Sequence, residues 1–192
     1  MLFETIEGGH TGYMRGLMPL LVVSSVLTLP ASAAGIDPKT LVLHEADVPA
    51  GFRLDRAHTG VRTNAAEAKR EPRLVGLFRR WKHVIAYEAE FDRGEAKIES
   101  RVDLLAARGG ARQMLDWYDL ELRKAGLKGL RRVAGPVGDQ AWIYGSPPPA
   151  SVTVVAWRYD RVFAGAVGQG IPRDRTLKLA RRQQQRVVAA LR

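Results

Sequence analysis

Two adjacent stretches of strict alternation constrain this chain more than any other feature. In "VIAYEAEF" the residues Ile85, Tyr87, Ala89 and Phe91 fall on one side of an extended backbone. In "KIESRVDL" the residues Ile98, Ser100, Val102 and Leu104 do the same. Alternation with a period of two marks a strand with one buried face, because successive side chains point to opposite sides of the pleat. The connector Asp92-Arg93-Gly94-Glu95 is short and carries a glycine, so the pair predicts a tight β-hairpin. Setting Asp92 opposite Glu95 places Ala89 opposite Ile98 and Glu90 opposite Lys97, which keeps the apolar faces together. The second face then holds Glu88 and Glu90 against Lys97, Glu99, Arg101 and Asp103, and is expected to be a solvated charge ladder.

The flanking sequence supplies helices and further strands. "LVLHEADVPAGF" offers a short turn ending at Pro49 and Gly51, with a strand through Arg53 to Val61. Asn64 followed by Glu67 has the spacing of a capping box. Beyond Pro72, the residues Leu74, Leu77, Phe78 and Trp81 form one apolar helical stripe. A helix is expected over roughly 110–127, burying Ala111, Met114, Leu115, Tyr118 and Leu122 and stopped by Gly126 and Gly129. "VGDQAWIYG" reads as a strand and "SVTVVAWRYDRVFAGAVGQG" as a second hairpin turning near Asp160. Pro172 and Asp174 open a last helix whose stripe is Leu177, Ala180, Gln184, Val187, Val188 and Leu191. The order is roughly β-α-β-β-α-β-β-β-α, which predicts an α+β fold: a mostly antiparallel sheet with two to three helices packed on it. Ile85, Tyr87, Phe91, Val102, Leu115, Tyr118 and Leu122 are expected to share one core.

The stretch "RGLMPLLVVSSVLTLPASAAG" sets the compartment. A basic residue, an apolar run from Leu17 to Leu29 and small residues spaced A-x-A have the layout of a secretory signal peptide. The run falls short of the roughly 20 apolar residues that span hydrocarbon. A leader over 1–33 is therefore expected, with the signal at about 14–33 and cleavage after Ala33. The alternative is an uncleaved N-terminal anchor. Glu4 and Glu7 do not suit the start of a signal, which makes Met14 the better initiator. Residues 34–192 are expected to form a single globular domain, exported and soluble after cleavage.

The chain has no cysteine, which excludes disulfides, thiolate catalysis and Cys-based zinc sites. It also excludes a lipid anchored on cysteine. Its 30 basic and 20 acidic residues give a net charge of +10, with the arginines spread along the sequence. Such a surface attracts polyanions without naming one.

"ADVPAGFRL", "GDQAWIY" and "VAWRYDRVFAGAVGQG" before a C-terminal helix resemble a loose group of uncharacterised exported bacterial domains. Members of that group read L-P-x-G-F, then V-G-D-E-A, then an Arg-containing hairpin. The group is distantly similar to extracellular sensor-type domains of mycobacterial kinases and to PsbP-like α/β/α proteins. The resemblance implies an envelope-facing binding or interaction domain, not an enzyme, and carries over no site residue. This chain departs from the pattern in lacking the lipid-bearing cysteine and in having Gln140 where an acidic residue is usual.

Few residues carry chemistry. His44, His58 and His83 lie on unlike segments and read as surface or capping histidines, and "HEADV" lacks the second histidine of a zinc-protease helix. No metal or other cofactor is expected. Glu88 and Glu90 share a face, but cations opposite them would lower the pKa that an acid catalyst needs raised. "GAVGQG" matches no phosphate-loop spacing and reads as small residues where a strand packs closely. The expected function is a secreted, non-catalytic binding domain of the cell envelope. Its partner is an envelope component or small ligand, and specific nucleic-acid recognition is not expected. Two other functions stay open. One is a secreted hydrolase using Glu88 and Glu90. The other is a weak, diffuse contact with polyanions or anionic lipid through Arg79, Arg80, Arg181, Arg182 and Arg186.

Overall fold

The computed structural model describes residues 35–130, 137–146 and 151–192. The expected leader, and Arg131 and Arg132 among the arginines spread along the sequence, lie outside the described residues. After a 3-10 turn at Pro38–Leu41 come strands β1 (Arg53–Leu54) and β2 (Gly60–Arg62), then helices α1 (Asn64–Arg70) and α2 (Leu74–Trp81). The long hairpin β3 (His83–Arg93) and β4 (Ala96–Leu105) follows, then helix α3 (Arg108–Lys124). Strands β5 (Lys128–Leu130), β6 (Gln140–Gly145), β7 (Val152–Tyr159) and β8 (Val162–Gln169) precede helix α4 (Arg173–Leu191). The strands make one sheet in the order β1-β3-β4-β8-β7-β6-β5, with β2 also paired to β3, and every pairing is antiparallel. The α+β class stands, with four α-helices where two to three were expected.

The central hairpin forms one step away from its expected register. Arg93 pairs with Ala96, so Gly94 and Glu95 make the two-residue turn, with Gly94 at a φ of 60° that favours glycine. Phe91 then faces Ile98 and Ala89 faces Ser100. The partner strand has moved by two residues, which preserves the face of every side chain. The hairpin turn at Asp160 is as expected, between β7 and β8.

The sheet is covered on both faces, so the expected single core divides into two. On one face Phe91, Ile98, Val102, Val155 and Trp157 pack with Leu41 and Leu43 and with Leu179, Ala180 and Val187 of α4. On the other, Leu105, Tyr144, Ala156 and Phe163 pack with Phe78 and Trp81 of α2 and with Met114, Leu115, Tyr118 and Leu122 of α3. Leu115, Tyr118 and Leu122 are buried as expected, yet against the opposite face from Phe91 and Val102. The reason lies in β6, β7 and β8, which are apolar on both sides and need cover on both.

Helix α4 turns a slightly different face to the sheet than its sequence stripe predicts. Thr176, Leu179, Ala180, Gln183, Gln184 and Val187 are buried. Leu177 and Leu191 are only half-buried. Both glutamines bond inside: Gln183 donates to the Arg101 carbonyl at 3.0 Å, and Gln184 accepts from the Trp157 indole at 2.6 Å. The glycine-rich end of β8 explains the close fit. A methyl group on Gly168 would lie 2.2 Å from the Thr176 hydroxyl and 2.7 Å from Ile171, so α4 begins where only glycine leaves room.

Candidate functional site

Where the segment around Asp47 passes the first half of α4, a cleft of about 400 Å³ opens. Its apolar wall is Val48, Pro49 and Leu179, and Arg175, Lys178, Arg181 and Arg182 surround it. Helical spacing brings these cations together: positions 175, 178 and 182 differ by three and four, so they lie along one flank of α4. Asp47 fastens the loop to the helix. Its carboxylate accepts from Arg186 Nε at 3.0 Å and Nη2 at 2.7 Å, and its carbonyl accepts from Arg182 at 2.9 Å. Arg175, Lys178 and Arg181 are exposed and make no side-chain hydrogen bond or ion pair to the described residues. Three unpaired cations therefore stand beside an apolar wall, while the cleft's one carboxylate is already neutralised.

A second polar assembly lies on the opposite face of the sheet, under α1, and it corrects the expected solvated ladder. Glu88, Glu90, Glu99, Arg101 and Asp103 are all buried. Arg101 grips Asp103 with two bonds of 2.8 and 2.9 Å and reaches Glu67 of α1 at 3.2 Å and Glu88 at 3.3 Å. Arg62 holds the other oxygen of Glu88 at 3.0 Å. Glu67 is thus an anchor and not half of a capping box: Thr63 caps α1, accepting from the Ala66 amide at 3.2 Å. Asn64 instead donates to the His83 carbonyl at 3.0 Å. His83 is a buried member of the network and not a surface residue, its Nε2 lying 3.0 Å from Asp103. Burial opposes charge on both partners of the central pair. The attraction between them prevails, raising the Arg101 pKa well above its usual value and holding that of Asp103 well below.

This network leaves Glu88 and Glu90 poorly suited to catalysis. Arg62 and Arg101 occupy Glu88, and Lys97 Nζ sits 2.6 Å from Glu90. The carboxylate that burial does perturb is Glu99, which the register places directly opposite Glu90. Desolvation first, then repulsion from Glu88 and Glu90, pushes its pKa up to about 7. The α4 cleft lies on the far side of the sheet from all three. One possible donor set for a metal occurs among the described residues: ligand atoms of Asp55, His58 and Glu90 lie within 4.8 Å of one another. The Lys97 ammonium on Glu90 occupies the position of a dication's charge, and His58 already bonds Asp55 at 2.6 Å. This is a histidine-centred ion pair, with the Asp55 hydrogen bond raising the His58 pKa.

The five arginines expected to meet polyanions do not form one surface. Arg79 and Arg80 are exposed at the end of α2, on the opposite face of the sheet from α4. Arg181 and Arg182 border the cleft, and Arg186 is tied to Asp47. The sequence reading missed Lys178 and the segment from Asp47 to Pro49. No local signal joins that segment to a helix more than a hundred residues later. Only the four-residue spacing of Arg182 and Arg186 hinted that both reach one partner.

Neither a protein-family model nor a curated protein matches the chain. Among solved structures it is similar to the extracellular domain of PknH from Mycobacterium tuberculosis, with a TM-score of 0.50 at 9% identity. The match covers 79% of this chain and 94% of that one. At this identity the likeness is one of fold. Among the described residues no helix is long and apolar enough to cross a membrane.

Proposed function

We propose that this chain is an exported, non-catalytic binding domain of the sensor type, with the cleft beside α4 as its binding face. The observation that carries the reading is the composition of that cleft. Among the described residues Arg175, Lys178 and Arg181 have no partner, Val48, Pro49 and Leu179 offer apolar contact, and no serine, histidine or unpaired carboxylate lines the cleft. Such a surface can hold a ligand, and its lining offers neither a nucleophile beside a base nor a pair of free carboxylates. Two facts support the compartment: the signal-like order of residues 14–33, and a fold shared with a domain described as the extracellular part of a kinase.

Both halves of the proposal are testable. Intact-mass measurement of the protein from its host should give a chain beginning at Ala34 and recovered outside the cytoplasm. A mass that retains Leu17 to Leu29 in the cytoplasm would refute export. Amide NMR spectra recorded against soluble envelope oligosaccharides, neutral and acidic, should show saturable shifts confined to Val48, Leu179, Gln185 and their neighbours. Turnover of any of these compounds, or shifts gathered around Glu88 and Glu90, would refute the binding reading.

A further inference from the structure

We propose that the α4 cleft recognises a phosphate ester, with the phosphoryl group held by Arg175, Lys178 and Arg181 and the esterified moiety laid against Val48, Pro49 and Leu179. This rests on the cleft being the binding face and adds the chemistry of what it takes.

The charge arrangement selects the headgroup. A single carboxylate is satisfied by one arginine fork, and the cleft already contains that pairing in Asp47 with Arg186. Three further cations would remain unmatched by a monoanion. A phosphoryl group carries up to two charges and three acceptor oxygens, so it can engage several donors at once. The rise of 1.5 Å per residue places Cα atoms 175 and 181 about 9 Å apart along the helix, within reach of one phosphate for side chains this long.

The size of the cleft requires more than phosphate. At about 400 Å³ it falls in the range of small-molecule pockets, roughly 300–1,000 Å³, and exceeds what a bare phosphate fills. The apolar wall is the part an esterified group would cover. An extended polyanion fits less well, because the unpaired cations stop halfway along α4. Arg186 is neutralised by Asp47, and the next basic pair, Arg79 and Arg80, lies across the sheet. A membrane surface is not favoured either, since among the described residues no aromatic side chain borders the cleft to insert between lipids.

The test uses the full protein in 150 mM salt, with calorimetric titration of hexyl phosphate, inorganic phosphate and hexanoate. Hexyl phosphate should bind at one site, at least tenfold more tightly than either of the others. Lys178→Ala combined with Arg181→Ala should weaken it at least tenfold with the circular dichroism unchanged. Arg79→Ala combined with Arg80→Ala should leave it as it was. Vesicles containing phosphatidic acid, whose headgroup is a phosphate monoester, form a second arm. Binding that the α4 double variant abolishes there identifies a lipid headgroup as the source, whereas a response to hexyl phosphate alone identifies a soluble ester. The proposal is overturned if hexyl phosphate fails to bind, or binds with an affinity indifferent to Lys178 and Arg181. A neutral oligosaccharide that shifts Val48 and Leu179 while phosphates do nothing would sink the proposal and leave the binding-domain reading standing.

Discussion

Replacing Glu99 with glutamine should make the protein more stable at neutral and alkaline pH, and the size of the gain can be worked from its surroundings. Glu99 lies on β4 opposite Glu90, buried, on the same sheet face as Glu88. The loss of water first, and then these neighbours, raise its pKa from an ordinary 4.5 to about 7. Between those values the folded state keeps a proton that the unfolded chain has released. The stabilisation tied to that proton is complete below about pH 4.5 and disappears as pH rises through about 7. At 1.36 kcal/mol per tenfold change in proton affinity, the loss approaches about 3 kcal/mol. Glutamine has the shape of the protonated acid and cannot ionise, so Glu99→Gln removes the loss. Urea denaturation of both proteins from pH 4 to pH 8.5 is the assay. The two stabilities should coincide at pH 4 and diverge until the variant leads by about 3 kcal/mol at pH 8. Other groups titrating in the same window act on both proteins and cancel in the difference. A difference independent of pH would show that Glu99 is solvated and that the carboxylate-rich face is open to water.

Two further outcomes follow from the packing. Leu115→Ala, at a site with no exposed surface in the core between α3 and the sheet, should cost about 2–5 kcal/mol in urea denaturation, and an unchanged midpoint would mean that α3 is docked by another face. Arg101→Met should cost about 3–5 kcal/mol at pH 7, because it removes the shared cation of three buried carboxylates, leaving Asp103 with His83 and Glu88 with Arg62 alone and taking the Arg101 bond from Glu67. The loss should shrink on acidification as those groups protonate, and a loss that grows at low pH would contradict the network.

What the sequence made legible was local. The β3–β4 hairpin, the stripe of α2, the buried face of α3 and the turn at Asp160 all follow from periodicity and turn chemistry within a few residues of one another. The α4 stripe was only partly readable, because Gln183 and Gln184 are polar by composition and buried by partnership. Each spends its amide on a group supplied by a distant strand, the Arg101 carbonyl and the Trp157 indole. The division into two cores was hidden for a related reason. Alternation in β3 and β4 reports one apolar face, and the second becomes evident only when β7 and β8 take their places beside them. Their runs, "VTVVAWRY" and "VFAGAVGQ", are small or apolar at consecutive positions, which is the mark of a strand covered on both sides.

The misreading of the charged face has a physical cause that also bears on where function can reside. Alternating Glu88, Glu90, Glu99, Arg101 and Asp103 look like a solvated surface because exposed charges are the rule. The rule fails when a short helix brings a carboxylate of its own to the centre, as α1 does with Glu67 against Arg101. Helix α1 has Glu67 as its one fully buried residue. Its attachment therefore leans on an ion pair more than on apolar area, and that pair consumes the charges that could otherwise have done chemistry. On the far side of the sheet the balance is reversed. Helix α4 is held by Leu179, Ala180 and Val187, with Asp47 clasped by Arg186, which leaves Arg175, Lys178 and Arg181 free of structural duty. A charge that the fold does not need is one that a ligand can use. This asymmetry, more than net charge, is what supports α4 as the proposed binding face.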